Sequence, residues 1–378
     1  MAQIQNFQAA LEQFNARRRE IFYAKTDLDL TTTQILKLKK QNDLQAVGAT
    51  PHVTAASEKI FGSPPLKVEW FQGHGTFHSL FKIVLPDSIW ILRANFISAN
   101  MAFELWMDAQ IHSSLASPEL PLLPGARTDL TRSILPFDFE ILPMAPGESL
   151  KIFEDSETQQ MPAGLLGELG KALANIHQHE TNGFGLLKVV EVAPPDGRFD
   201  GVLKTWSDYI FLNLPSHLQI CQDIGAISTI EKTAILEKFE SARPLLGSRP
   251  SRLLHGDPGY HNFFAEAPIF PYPKESKFRI AAIIDWEDAL AGDPIFDLAY
   301  WGTFTRDQWR EPLLAGYQTV AALPDKFEYL YWLYYLRIAI SKTVHRHLFA
   351  IADRAGRPPA SQRIQKALEK VEAKRKPN

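Results

Sequence analysis

The segment from Leu253 to Ala299 constrains the fold of this chain more than any other part of it. Two apolar pairs, Leu253-Leu254 and Phe263-Phe264, flank a polar loop, His255-Gly256-Asp257-Pro258-Gly259-Tyr260-His261-Asn262. An apolar run, Ile280 to Ile284, then leads into Asp285-Trp286-Glu287, followed by Gly292-Asp293-Pro294 and Asp297-Leu298-Ala299. Strand, loop, strand in this order lets two neighbouring strands aim the residues at their ends at one point. The residue types suit phosphoryl transfer, which needs an oriented acceptor and neutralised phosphates rather than reactive side chains. A carboxylate such as Asp257 orients an acceptor hydroxyl and takes its proton. Magnesium prefers oxygen ligands, and the Asn262 amide and the Asp285 carboxylate supply two.

Each of these residues alone is a common turn or cap residue. Their order, together with Asp297, is what carries the reading. A rival set is His255, Asp257, His261 and Asp285 as zinc ligands of a hydrolase. It leaves Asn262 and Gly292-Asp293-Pro294 without a role, and no further histidine cluster completes it. The Gly-x-x-x-x-Gly-Lys-Ser/Thr loop is absent, as is the Gly-x-Gly-x-x-Gly fingerprint, so nucleotide binding of those two kinds is excluded.

With 378 residues the chain is long enough for two domains or one bilobal unit. A formal net charge of -3 argues against a nucleic-acid-binding surface. Cys221 is the only cysteine, so no internal disulfide forms; this fits a reducing compartment, with the thiol in a packing role. The N-terminus lacks the apolar run of a signal peptide, and no stretch reaches the roughly 20 apolar residues of a membrane span. The expectation is a cytoplasmic protein without a membrane partner; the sequence does not indicate an oligomeric state.

Three regions follow from the texture of the chain. Residues 1–65 read as a helical N-terminal extension, with a helix around Phe7, Leu11 and Phe14, a basic cluster Arg17-Arg18-Arg19, and a short helix Gln34 to Asn42. The extension is also a candidate contributor to a substrate site. Residues 66–145 read as a small antiparallel sheet with one helix. Its strands are expected at Val68–Phe71, Leu80–Leu85, Ile89–Arg93, around Ile134 and at Phe139–Leu142, and its helix at Met101–Ser114. Residues 146–378 read as mostly helical. The aromatic run Tyr329 to Ile340 is expected to be a buried helix, and the tail from Arg363 a solvated charged one.

The loop from His255 to Asn262 resembles the H-x-D-x-x-x-x-N catalytic loop of the protein-kinase-like fold in its aminoglycoside phosphotransferase branch. Asp285-Trp286-Glu287 and the residues to Ala299 look like that branch's metal loop and following helix. The resemblance covers roughly residues 66 to 350. It implies an α+β bilobal kinase-like fold, ATP or GTP with Mg2+ as cofactors, and transfer of a γ-phosphoryl group to a hydroxyl of a small molecule. By resemblance Asp257 is the catalytic base, Asn262 and Asp285 bind magnesium, and His255 and Asp297 brace the loop. Gly73, Gly75 and Thr76 fall where the phosphate-covering loop belongs. Arg93 stands where kinases carry a phosphate-contacting lysine, with Glu104 as its expected ion-pair partner and Asp108 as a weaker candidate. Met144 and Ala145 belong to the hinge expected to meet the purine.

Short passages, among them Gly183-Phe184-Gly185 and Thr205-Trp206-Ser207-Asp208-Tyr209, look like hygromycin B phosphotransferases. That likeness makes a cationic aminocyclitol one candidate acceptor, with Glu287, Asp288 and Asp208 as candidate substrate carboxylates, and Asp307 besides. A sugar or amino alcohol is the alternative acceptor. A non-catalytic nucleotide-binding descendant is a third reading, which the intact Asp257, Asn262 and Asp285 disfavour.

Overall fold

The computed structural model describes residues 2–375, except 24–26, 28–31, 72–77, 97–98, 116–118, 154–159, 267–276 and 352–357. Two helices open the chain, α1 (Ala2–Arg18) and α2 (Thr32–Phe61). The small lobe follows with β1 (Lys67–Phe71), β2 (Ser79–Val84), β3 (Ile89–Asn95), α3 (Ala99–Ser114), β4 (Arg127–Asp129) and β5 (Asp138–Pro143). Its five strands form one antiparallel sheet in the order β1-β2-β3-β5-β4. In β2 the burial alternates, with Ser79, Phe81 and Ile83 turned inward, as a half-buried strand requires.

The extension departs from the sequence reading in one respect. Helix α2 runs well past Asn42, through Pro51, to Phe61. Proline disfavours a helix interior, but Ala46, Ala49, Val53 and Ala56 form a small-residue stripe buried with Phe81, Ile83, Leu92 and Ile141 of the sheet. That burial outweighs the local propensity. Helix α1 joins the other core instead, through Leu11 and Phe14. The strand expected around Ile134 is also absent. The Asp129 carboxylate accepts from Thr131 N at 2.8 Å and from Ile134 N at 3.1 Å, which folds this stretch into a turn before β5.

The large lobe contains β6 (Glu148–Ser149), α4 (Ala163–Ile176), β7 (Phe184–Leu187), β8 (Gly201–Leu203), α5 (Trp206–Phe211), α6 (Leu214–Asp223), α7 (Thr229–Gly247), β9 (Arg252–Leu254), β10 (Phe263–Glu266), β11 (Arg279–Ile283), β12 (Leu290–Gly292), α8 (Ile295–Phe304), α9 (Arg310–Gln318), α10 (Phe327–Leu348) and α11 (Ala360–Arg375). Two small sheets, β11-β10-β6 and β8-β7-β12-β9, carry the polar loops. Helix α10 packs against α6, α8 and α11, with Leu330, Leu333, Tyr334, Leu336, Ile338 and Ile340 buried along it. The charged tail is less solvated than its composition implies, because α11 buries Ile364, Ala367, Leu368 and Val371. Cys221 is buried, and burial pushes its thiol up to about 12, which fits packing rather than nucleophilic chemistry. Among the described residues no helix is long and apolar enough to cross a membrane.

Candidate active site

The loop after β9 is fixed by one buried carboxylate at the start of α8. Asp297 accepts from the His255 backbone N–H at 2.7 Å and from that of Gly256 at 3.1 Å, and His177 Nε2 lies 3.3 Å from it. The His255 ring spans the loop: Nδ1 accepts from Asp257 N at 3.3 Å, and Nε2 lies 3.0 Å from the Ile284 carbonyl. Gly256 adopts φ +83, and a Cβ there would stand 1.9 Å from the Asp288 carbonyl oxygen. Only glycine lets the two loops approach so closely.

Asn262 and Asp285 are brought to the same end of a strand pair. β10 pairs with β11, Phe263 opposite Ile283, so Asn262 precedes one strand and Asp285 follows the other. The Ile284 N–H donates to the Asn262 carbonyl at 3.0 Å. The Asn262 Nδ2 donates to the Asp257 carbonyl at 2.9 Å, which leaves the amide oxygen as the atom to offer a cation. Asp285 has φ 67, a left-handed backbone that aspartate tolerates better than most residues. A carboxylate and an amide oxygen, set at adjoining strand ends, fit a magnesium ion. The rival zinc set is not gathered: among the described residues the ligand-type groups within mutual reach are His78, Glu104 and Glu287, and His261 is exposed.

Arg93 is the hub between the lobes. Its guanidinium donates to Glu140 at 2.9 Å and to Asp285 Oδ1 at 3.0 Å, contacts Glu287, and lies 3.4 Å from Asp108. The ion pair from α3 is therefore with Asp108, and the expected pairing with Glu104 is not made. The reason is geometric: β3 and β5 pair Arg93 with Glu140 on the face toward α3, where Asp108 is fully buried. Burial works against the Arg93 charge, yet Glu287, Glu140, Asp108 and Asp285 together raise its pKa further. Burial, then the Asp108 charge, pushes the Glu140 carboxyl well above the carboxylate range. Burial also acts to raise Asp108, but His112 and Arg93 hold it below its ordinary value. The two close buried carboxyls are thus pushed in opposite directions, Glu140 upward and Asp108 downward. The sequence signal for Glu140 was there: one charge inside the apolar strand Phe139-Glu140-Ile141-Leu142.

The remaining expected residues fall as follows. Gly73, Gly75 and Thr76 lie outside the described residues. Met144 already donates its N–H to Ile89 O at 2.9 Å, so any purine contact from it must use its carbonyl. Gly147 turns the chain after this hinge with φ +80, its missing Cβ 2.3 Å from the Ala265 carbonyl oxygen. Asp208 is exposed and closes a capping box with Thr205 at the start of α5. Glu287 faces Arg93 and His78, Asp288 is buried, and Asp307 pairs with Lys366.

The N-terminal extension reaches this centre. Arg18 is buried, and its Nη2 donates to the Glu287 carbonyl at 3.5 Å. Phe22 stacks on Tyr209 with ring centroids 4.9 Å apart, and its carbonyl accepts from the Tyr209 hydroxyl at 2.6 Å. Asp27 closes the turn, accepting from Phe22 N at 2.7 Å and lying 2.7 Å from His217 Nε2. Phe22 and Tyr23 thereby line a cavity of about 10 Å³ beside Gly256, no larger than a water molecule needs.

A family model described as "Phosphotransferase enzyme family" matches residues 85–330. The chain belongs to that family. It is a small-molecule kinase by class, in an α+β bilobal kinase-like fold. No curated protein matches it significantly in sequence. Among solved structures it is similar to a thermostable mutant of aminoglycoside phosphotransferase APH(4)-Ia in ternary complex with AMP-PNP and hygromycin B. That likeness has a TM-score of 0.57 at 17% identity, over 84% of this chain and 98% of the other. A protein assigned as a fructosamine-3-kinase, from Thermobifida fusca YX-ER1, gives 0.54 at 15% identity over 85% and 98%. A protein from Ralstonia eutropha JMP134, assigned as an aminoglycoside phosphotransferase, gives 0.50 at 16% identity over 85% and 96%. At these identities the likeness establishes the fold.

Proposed function

We propose that this chain transfers the γ-phosphoryl group of ATP or GTP to a hydroxyl of a small molecule, with Asp257 as the base. The single observation that carries this is the convergence of Asp257, Asn262 and Asp285 on adjoining strand ends, under Arg93. Asn262 and Asp285 would hold magnesium, whose charge offsets that of the phosphates. Arg93 would contact the phosphates, and the segment with Met144 and Ala145 the base. Asp257 accepts the acceptor's hydroxyl proton as its oxygen bonds to phosphorus and the bond to the leaving nucleoside diphosphate breaks.

The acceptor is better read as a neutral or anionic hydroxyl compound than as a polycationic aminocyclitol. Glu287 and Asp208 are already engaged by Arg93 and by the α5 cap, Asp307 by Lys366, and Asp288 is buried. That favours the sugar-like alternative over an antibiotic. The test is coupled nucleotide consumption across a hydroxyl panel that includes hygromycin B, with magnesium omitted as the control. Asp257→Asn is expected to cut turnover by roughly 100- to 10,000-fold while nucleotide binding persists. Turnover unaffected by that substitution would sink the assignment of the base.

A further inference from the structure

Helix α10 carries two charged side chains in its buried stretch, Arg337 and Lys342. Arg337 is consumed by the fold. It donates to the carbonyls of Ile210 at 2.8 Å and Leu212 at 2.6 Å and lies over the Phe22 ring. Lys342 is placed differently. Its ammonium lies 3.9 Å from Asp257 Oδ1, with the two side chains 13% and 5% exposed. Three rings surround it, with centroids 4.4 Å (Tyr23), 4.6 Å (Tyr300) and 4.9 Å (Phe304) away. It donates to the Tyr23 hydroxyl at 3.1 Å.

Taking an ammonium out of water is costly unless partners replace the hydration. Aromatic faces offset part of that cost and fix the position without neutralising the charge. A cation boxed in this way keeps its field directed at the Asp257 carboxylate. Tyr23 comes from the N-terminal extension, Tyr300 and Phe304 from α8, and Lys342 from α10, so three separate elements converge to hold one ammonium.

We propose that Lys342 is a positioning residue for phosphoryl transfer, orienting the Asp257 carboxylate and setting a positive charge beside the point where acceptor oxygen and phosphorus meet. Tyr23 holds it there, which gives the N-terminal extension a part in turnover. The proposal rests on Asp257 being the base. In the step, the acceptor O–H proton passes to the Asp257 carboxylate, the O–P bond forms, and the β,γ-bridging P–O bond breaks with its electron pair leaving on the nucleoside diphosphate. Lys342 gives up no proton. Its charge favours the arrangement in which negative charge crowds this point, as preorganised donors do elsewhere.

The experiment uses the full chain and MgATP or MgGTP, with turnover followed against water and against the best acceptor of the hydroxyl panel. Lys342→Met should lower kcat on the order of 100-fold, the usual cost of removing one preorganised charge, while KM for nucleotide and the melting temperature stay near wild type. Lys342→Arg should restore most of the loss, because it returns the charge to the box. Tyr23→Phe keeps the ring, removes the hydroxyl, and should show a smaller loss confined to kcat. Should Lys342→Met fail to fold, Tyr23→Phe and Lys342→Arg decide: wild-type kcat in the first together with inactivity of the folded second overturns the proposal. Lys342→Met that turns over within about threefold of wild type, or loses kcat, nucleotide binding and melting temperature together, also overturns it. Absence of turnover in the wild-type chain itself sinks the kinase reading, and this proposal with it.

Discussion

Replacing Arg93 with methionine removes the one guanidinium that four carboxyl groups share. Asp108 and Glu140 are fully buried beside it, and Asp285 and Glu287 lie within its reach. Methionine fills similar space but leaves the Asp108 carboxylate in a low-dielectric interior without its cation. Breaking a buried ion pair from one side costs about 3–5 kcal/mol. At about 1–2 °C per kcal/mol for a chain of this length, this is roughly 3–10 °C in melting temperature. The pH dependence distinguishes this cause from simple loss of packing. In the wild type Asp108 is held below its ordinary pKa, so its contribution to stability is present above the unfolded value and fades as pH falls through the folded one. Glu140 is held above its ordinary value, so its ionisation works against the fold as pH rises through the folded pKa. Arg93 acts to lower the pKa of both carboxyls, so its loss costs more at neutral pH than in acid, where the carboxylates protonate. Thermal unfolding followed by circular dichroism at about pH 8 and about pH 5 should show the gap narrowing at the lower value. A gap that is equal or wider at the lower pH, or smaller than about 1 kcal/mol throughout, would refute the hub assigned to Arg93.

Two other substitutions probe the loops. Gly256→Ala places a methyl 1.9 Å from the Asp288 carbonyl oxygen on a backbone at φ +83, so the loops after β9 and β11 must separate. Displacement of about 1 Å in such a site costs on the order of 100-fold in turnover, and the left-handed alanine costs a further ~1 kcal/mol in stability. Melting temperature and turnover measured together should both fall, and an alanine variant that melts and works like wild type contradicts this close approach. Asp285→Asn keeps a residue that tolerates φ 67 and removes the charge. Its melting temperature should stay within a few degrees, while magnesium-dependent turnover falls at least tenfold; a variant with unchanged magnesium dependence removes Asp285 from the metal site.

Much of the site was legible because its residues are close in sequence and chemically unusual for their setting. Asp257, Asn262 and Asp285 lie within thirty residues of one another, in loops whose flanking apolar runs announce short strands. The Arg93 partner was misread because spacing along α3 offers Glu104 and Asp108 on one face, and only the β3–β5 register decides which meets the guanidinium. The length of α2 was underestimated because Pro51 reads as a stop, and the alanine stripe that overrides it buries itself on strands far along the chain.

The sequence by itself determined the kind of chemistry and the local devices that serve it: the polar loop, the glycine that permits close approach, and the carboxylate and amide suited to magnesium. These are set by residue type and short-range spacing, which backbone sterics and ligand preference read directly. Only the tertiary structure decided what surrounds that centre. It put Glu140 and Asp108 on Arg93, brought Arg18, Phe22 and Tyr23 of the extension against the large lobe, and set Lys342 beside Asp257. Three of those five contacts join residues 85 to 269 positions apart, and no local rule specifies them. They arise because burying the aromatic faces of α8, α10 and the extension together leaves one arrangement in which the enclosed charges also find partners.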